Sequence, residues 1–362
     1  MTIIDLATTI IPRDHKVWKL FPGEGYKFNR LIDASKVAFL DFRTLDRMGD
    51  DPRNWGRAKL ENVLSIDRWS RQNAGKSDKT ERRVSPTDKS NATLVLGLLT
   101  IAKKGDLVAV PNPGPDGYVA IYELTSGPGS VSRVEAQDGR ATSTYLGRKV
   151  KWVGTLPKRR LEYGVVELLQ TPVAFFDLGD AGREQIYEEV FGNYVYRGDN
   201  TVTYRVAKSD YNSRDNRIVS SWMEFVDLVS NDVAFTKALS ASSSASVVAM
   251  LDLVDLTESD RSELSININS PGEILMAAKR LAPLIGLALF PLAVSGVSYN
   301  DAIAAQVQMT TLGGATDDCT AQIQTSVQAI IKAMGADKWI NACELAQAAS
   351  SKAELSTDAK LD

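Results

Sequence analysis

Histidine is what the sequence lacks most: His15 is the only one in 362 residues. Histidine-based triads, histidine pairs on zinc and most general-base schemes therefore lack material. Cysteine is nearly as scarce. Cys319 and Cys343 lie 24 residues apart in helix-like sequence without a second pair, which fits reduced thiols in a cytosolic setting better than a disulfide or a zinc site. The opening MTIIDLATTIIPRDHK has no basic stretch ahead of an apolar one and no small-residue cleavage site, so it does not read as a secretory signal. Compositional extremes are absent as well. With 44% hydrophobic and 24% charged residues the content is ordinarily globular, and the length suits two domains.

Two motifs that could carry chemistry fail on context. The run from Gly75 to Ser77 resembles the end of a phosphate loop, but Ser70 stands where the first glycine belongs, and helix-like sequence precedes it. Asp14 with Lys16, and Asp358 with Lys360, could hold magnesium in a nuclease only from adjacent strands, and both sit in terminal segments without strand character. The expectation is a non-catalytic protein with no metal ligands and no cofactor, located in the cytoplasm.

Charge is divided unevenly. Residues 1–165 hold 28 Lys and Arg against 19 Asp and Glu, and the remainder holds 14 against 26. A basic half suits a polyanion, and an acidic half suits solubility or a protein partner. Between Arg53 and Lys89 the basic residues stand close to tryptophan: Arg53 and Arg57 flank Trp55, and Arg68 and Arg71 flank Trp69. Cations that neutralise phosphate beside rings that stack on bases are a common way of holding nucleic acid. From Lys103 the pattern turns to strands, KKGDLVAVP, GYVAIYEL, GRKVKWVG and TPVAFFDL, punctuated by Gly and Pro. Within GRKVKWVG, Lys149 and Lys151 alternate with Val150 and Trp152, which predicts a basic face opposite an apolar one. Lys158, Arg159 and Arg160 follow near the end of that strand.

Farther on, LSININS alternates as a half-buried strand, and LSASSSAS at 239–246 reads as a linker. Residues 281–298 contain no charge over 18 positions and follow Lys279 and Arg280, at the threshold length for a membrane span. Two prolines and two glycines favour instead a buried helix pair. Asp317 caps a helix ending at Gly335, and a second helix carries Trp339.

The series KKGDLVAVP, YVAIYELTSGPG, GRKVKWVG and LLQTPVAFFDL resembles the PUA-like, EVE-related module at the front of bacterial restriction and phage-defence proteins, including Mrr-type ones, over roughly residues 20–180. The resemblance implies a small barrel that reads nucleic acid, modified bases or a nucleotide. It carries over to Gly105, Asp106, Arg148, Lys149, Lys151 and Trp152. No recognisable restriction nuclease domain follows.

The resulting expectation is an α+β protein. It has a barrel-like binding domain at 1–180, a mixed α/β connector at 181–270, a helical region at 271–349 and a flexible tail at 350–362. The residues expected to bind are Arg53, Arg57, Arg68, Trp69, Arg71, Arg148, Lys149, Lys151, Lys158, Arg159 and Arg160. Such a chain would act as a defence-associated sensor. Its acidic half would signal by assembly into homo-oligomers, by meeting a partner protein, or by associating with the inner membrane through 281–298. The rival expectation is a soluble adaptor docking on an acidic partner.

Overall fold

The computed structural model describes all residues except 1, 22, 75, 77–80, 115, 139–140, 243–245 and 268–270. It forms two compact units: residues 14–190, here the inserted unit, and residues 1–13 with 191–362, here the split unit.

The chain opens on β1 (Ile3–Ile11) of the split unit. The inserted unit follows with β2 (Val17–Leu20), α1 (Asn29–Ser35), β3 (Val37–Phe39), α2 (Arg57–Gln72), α3 (Pro86–Leu96), β4 (Leu107–Pro111) and β5 (Tyr118–Leu124). It continues with β6 (Ser132–Asp138), the long β7 (Ala141–Pro157), α4 (Tyr163–Gln170), β8 (Phe175–Asp177) and α5 (Gly179–Phe191). The split unit resumes with β9 (Asn193–Tyr196), β10 (Asp199–Val206), α6 (Ser213–Val229), α7 (Asp232–Ala241), α8 (Val247–Leu251), β11 (Glu263–Asn267) and β12 (Gly272–Ala278). It closes with α9 (Ala282–Val294), α10 (Tyr299–Ala304), β13 (Gln306–Thr311), α11 (Thr320–Lys352), β14 (Leu355–Ser356) and β15 (Lys360–Leu361).

In the inserted unit the strand order is β3-β7-β5-β4-β2-β8, with β6 also on β7. The parallel pair β2 and β4 makes the sheet mixed. Among the described residues no ladder joins β3 to β8, so the sheet is not hydrogen-bonded into a closed barrel. The α+β character stands, and the closed barrel does not. The strands form where apolar runs end on turn residues, and Gly105, at φ 95°, makes the turn before β4. The core beneath holds Trp18, Phe28, Phe39, Leu64, Leu98, Tyr145 and Phe175, with Trp18 stacked on Phe175 at 4.9 Å.

The split unit has an eight-stranded mixed sheet, β11-β12-β10-β9-β1-β13, with β14 on β10 and β15 on β1. Its helical layer is built on α9, in which every residue from Ala282 to Ala293 is buried. A helix apolar on all sides belongs in the middle of a core. At 13 residues it is about 20 Å long, against the roughly 30 Å of a bilayer's hydrocarbon. Among the described residues no helix is long and apolar enough to cross a membrane. The alternative of a membrane-spanning helix at 281–298 does not stand, and in place of the favoured buried helix pair a single core helix covers Ala282–Val294, with Pro291 inside it. Gly286 explains how it fits, since a Cβ there would lie 2.7 Å from Val226 Cγ1 and 2.9 Å from the Tyr204 hydroxyl.

Other expectations change for equally local reasons. Residues 350–362, read as a flexible tail, end in β14 and β15, which pair with β10 and β1. The strand expected to be half-buried is an exposed edge, with Leu264 39% and Ile266 51% accessible, and Ile268 and Asn269 lie outside the described residues. Of the expected linker, residues 239–241 complete α7 and 243–245 lie outside the described residues. Asp317 does accept the Thr320 N–H at 2.9 Å, and α11 does break at Gly335, where φ is 70°.

Drawn along the unit boundaries, the charge contrast shrinks. Residues 14–190 hold 28 basic against 24 acidic side chains, and the split unit holds 14 against 21.

Candidate functional site

Three strands of the inserted unit make the floor of a cleft. Their register places Val110 beside Ala120 and Ala120 beside Thr155, one row across β4, β5 and β7. Tyr122 and Trp152 form the next row on one side, and Tyr118 stands on the other. Trp152 and Thr155 are three residues apart, so strict alternation would send them to opposite faces. A bulge prevents this. Ile121 pairs with Gly154 and Tyr122 with Trp152, which leaves Val153 as the extra residue and brings both side chains to the cleft face.

Ala120, small and flanked two residues away by Tyr118 and Tyr122, keeps the floor low between aromatic walls. The opposite wall is α1 and the turn before it, which supply Tyr26, Lys27, Asn29, Arg30 and Asp33. The cleft measures about 590 Å³, within the roughly 300–1,000 Å³ of small-molecule sites. Trp152 is 54% exposed and Tyr118 49%, unusual for rings of this size without a partner.

The polar groups are distributed unequally. Lys27 is paired with Asp41 at 2.9 Å and Asp33 with Lys36 at 2.6 Å. Arg30, exposed on the same wall, has no acidic partner among the described residues. Trp152 donates its ring N–H to Thr155 Oγ1 at 3.3 Å, which helps hold the indole. Burial, with the Asp33 carboxylate and Tyr118 adding to it, pushes the Tyr122 hydroxyl up to about 12. It therefore stays protonated at neutral pH. An arrangement of flat apolar walls, a few fixed polar groups and one free guanidinium can sandwich a planar ring and neutralise an attached anion.

The residues expected from sequence to bind a ligand go elsewhere. Arg53 is held by Asp51 at 2.9 Å, and Arg57 by Glu61 and the Thr93 hydroxyl, both at 3.0 Å. Arg68 grips both oxygens of the buried Asp88, itself the capping-box residue of α3, and also donates to the Arg83 carbonyl at 2.8 Å. Arg71 bridges Asp67 at 2.8 Å and Asp41 at 2.9 Å. Arg57, Arg68 and Arg71 fasten α2 to its surroundings, and Trp69 beside them is half-buried. Arg148 is fully buried and donates to the carbonyls of Leu98, Ala102 and Ser126. Lys158 is 1% exposed and holds the carbonyls of Asn112 and Gly114 in the turn before β5.

Lys149 and Lys151 do share one face, and Val150 is buried on the other, as their alternation requires. Lys151 is paired with Glu123 at 2.9 Å and Arg160 with Glu189 at 3.1 Å, whereas Lys149 and Arg159 are exposed. Trp152 points to the same side as Val150, but that side is open cleft at its position, not core. Gly105 and Asp106 shape the turn: Asp106 accepts from the backbone N–H groups of Lys16 and Lys103 and from the Trp18 indole. Of the phosphate-loop lookalike, Gly75 and Ser77 lie outside the described residues. Asp14 binds Lys103 and Asp358 binds Arg205. Among the described residues no three His, Cys, Asp or Glu side chains gather as metal ligands.

His15 is 3% exposed and structural. Nε2 lies 2.9 Å from the Gly105 carbonyl and must donate to it, so Nδ1 accepts from the Tyr187 hydroxyl at 2.5 Å. Burial lowers its proton affinity, and the Asp106 carboxylate opposes that only in part. A folded-state value below the unfolded 6.5 means that the unfolded chain takes the proton first. Stability from this residue is complete above about pH 6.5 and declines as the pH falls below it. Urea titrations between pH 7.5 and 5 should show a loss of stability that His15→Gln reduces. An identical pH profile in the variant would exclude this role.

Of the cleft residues only Trp152 stands in a basic strand and was singled out from the sequence; Tyr118, Tyr122, Asn29, Arg30 and Asp33 were missed because none is part of a basic run. The available signal was the Tyr118-Ala120-Tyr122 spacing on one strand face and the Asn29 and Asp33 spacing of one helical turn. In comparisons with known proteins, no protein-family model, no curated protein and no solved structure matches the chain.

Proposed function

We propose that the inserted unit is a non-catalytic binding module that takes one planar heteroaromatic ring of an anionic ligand, a base of single-stranded or distorted nucleic acid or of a nucleotide, into the cleft between β5, β7 and α1. The observation that carries this reading is the pair of half-exposed rings, Trp152 and Tyr118, standing on either side of Ala120 with Arg30 unpaired opposite. The PUA-like resemblance of the strand series is consistent with it. A defence-associated role remains part of the proposal, with the split unit passing the signal on by assembly. The exposed apolar edge β11 is the feature of that unit which suits assembly.

Pairing of the arginines on α2 shifts the source of affinity from broad charge to the cleft. Affinity should therefore fall only gently with salt, with a slope of log K on log salt of about −1 to −2, where a many-phosphate interface gives about −6 or steeper. The test is fluorescence anisotropy of labelled 12-mer DNA and RNA strands, and competition by nucleotides, with the full chain. Loss of one stacking ring is worth about 1–3 kcal/mol, so Trp152→Ala should weaken binding by about 5- to 150-fold without lowering the melting temperature. Absence of binding by strands and nucleotides alike, or unchanged binding by the variant, would overturn the reading.

A further inference from the structure

We infer that the split unit joins a second copy of this chain through β11, the two strands running antiparallel about a two-fold axis at Ser265 so that the two sheets become one. This rests on the assembly part of the reading above and not on the cleft.

The sheet of the split unit ends on β13 at one side and on β11 at the other, and among the described residues no strand lies beyond either. At β13 Val307 is 5% exposed and Met309 packs against the core, so the apolar residues of that edge are already covered. At β11 they are not. Leu264 lies opposite Met276 and Ile266 opposite Ile274, and directly paired residues point to the same face. Met276 and Ile274 are sealed in the core, whereas every residue of β11 is exposed. On its core side the sheet thus extends one strand beyond its helical layer.

The usual devices that blunt an edge strand are missing here. β11 contains neither Lys nor Pro, its one charge, Glu263, lies on the face away from the core, and its five-residue ladder to β12 has no bulge. The strand is also fixed before any partner arrives. Just ahead of it, the Asp227 carboxylate of α6 accepts the Ser262 N–H at 3.0 Å and the Ser262 hydroxyl at 2.6 Å. Pairing therefore has little left to order.

The order of residues in β11 suits its own copy. Antiparallel pairing centred on Ser265 uses all five residues, sets Leu264 of each copy against Ile266 of the other, and sets Glu263 against Asn267. The four apolar side chains then lie together beside Ile274 and Met276 of both copies. A slip of one residue would turn one copy's apolar pair to the wrong face. Centring on Leu264 would set Ile266 against Ser262, and centring on Glu263 would bring two carboxylates together. The two-fold contact closes on two copies, whereas β11 against β13 would run on into a filament.

A five-residue seam is much smaller than the roughly 1,200–2,000 Å² of stable interfaces, so the dimer should be weak, with a Kd of about 10–100 μM. Sedimentation equilibrium of the full chain, carried well above that range, measures it. Ile266→Lys, at a half-exposed position, should raise the Kd at least tenfold and leave the melting temperature unchanged. Ser265 meets its own copy at the axis with Cα atoms about 4.5–5.5 Å apart, a span that a disulfide bridges. Under mild oxidation Ser265→Cys should therefore be captured as a linked dimer. Glu263→Cys, whose copies would stand about 13 Å apart along the seam, should behave like the unaltered chain. A chain that stays monomeric overturns the proposal and leaves the edge to an extended segment of another protein. Self-association untouched by Ile266→Lys, growth beyond two copies, or failure to capture Ser265→Cys overturns it equally. Trp152→Ala should leave the dimer as it is, so loss of cleft binding and loss of pairing are separate results.

Discussion

Replacing Arg148 by methionine should cost the inserted unit about 3–5 kcal/mol, the range for breaking a buried, hydrogen-bonded charge. Arg148 sits at zero exposure on β7, with Val37 to Phe39 of β3 paired alongside, and reaches the carbonyls of Leu98, Ala102 and Ser126. Two of these carbonyls belong to the end of the helix that runs into β4 and one to the loop after β5. The guanidinium on β7 therefore ties the helix end before β4 to the loop after β5. Burial pushes its proton affinity down to about 10, with the Asp106 carboxylate opposing, so the charge persists at neutral pH. Methionine fills much of the space but leaves three buried carbonyls without donors, each worth about 1–3 kcal/mol. Removal of a buried cation offsets part of that total. Hydrogen exchange should locate the damage in peptides spanning 98–102 and 124–128, and Arg148→Lys should recover part of the loss. A change under about 1 kcal/mol would mean that the carbonyls find other donors and that the residue is dispensable.

Leu287→Asp should abolish cooperative folding of the split unit. Leu287 has no exposed surface and lies in the middle of α9, among side chains from β1, β10, α6 and α11. Losing its burial costs about 1.5–3 kcal/mol. An unpaired carboxylate there adds several kcal/mol more, whether it stays charged or takes up a proton. The sum approaches the roughly 5–15 kcal/mol that holds an entire domain together. Leu287→Met, which keeps shape and polarity, should cost less than about 1.5 kcal/mol. Far-ultraviolet circular dichroism and a denaturant titration report the outcome. A cooperative transition near that of the unaltered chain in Leu287→Asp would show that α9 is not the centre of the core.

How much of this could be read in advance depended on whether the signal was local. β4, β5 and β8 follow from short apolar runs closed by Gly, Pro and Asp, and the break in α11 follows from Gly335. β1 was missed, although Ile4, Leu6, Thr8 and Ile10 alternate inward, because threonine reads as polar and the run interrupts itself at Ala7, where φ is 46°. β13 was missed because an edge strand such as QVQMTT needs little apolar content. Segment 281–298 has no amphipathic period, and a helix buried on every side looks the same in sequence as one bound for lipid. The expected binding residues stand away from the cleft for a different reason. A run of arginines shows how much charge is present but not whether Asp41 and Asp88 have already taken it up, since those partners come from other elements. Likewise, alternation gave the side to which Trp152 points and not whether that side was filled.

The place of β1 in its sheet sets a schedule for the ribosome. Residues 14–190 are complete and have their own core long before β13 exists, so the inserted unit can fold as the chain is made. β1 pairs with β9, β13 and β15, and the last two lie roughly 300 residues downstream. At about 5–20 residues per second it must wait on the order of 15–60 s with one or both edges bare. IIDLATTII, rich in β-branched residues and with a single charge, is the kind of segment that pairs with other nascent chains in such an interval. Yield at high expression should therefore be limited by the first eleven residues and the speed of translation, and slower synthesis would not help a chain whose earliest strand needs its latest ones.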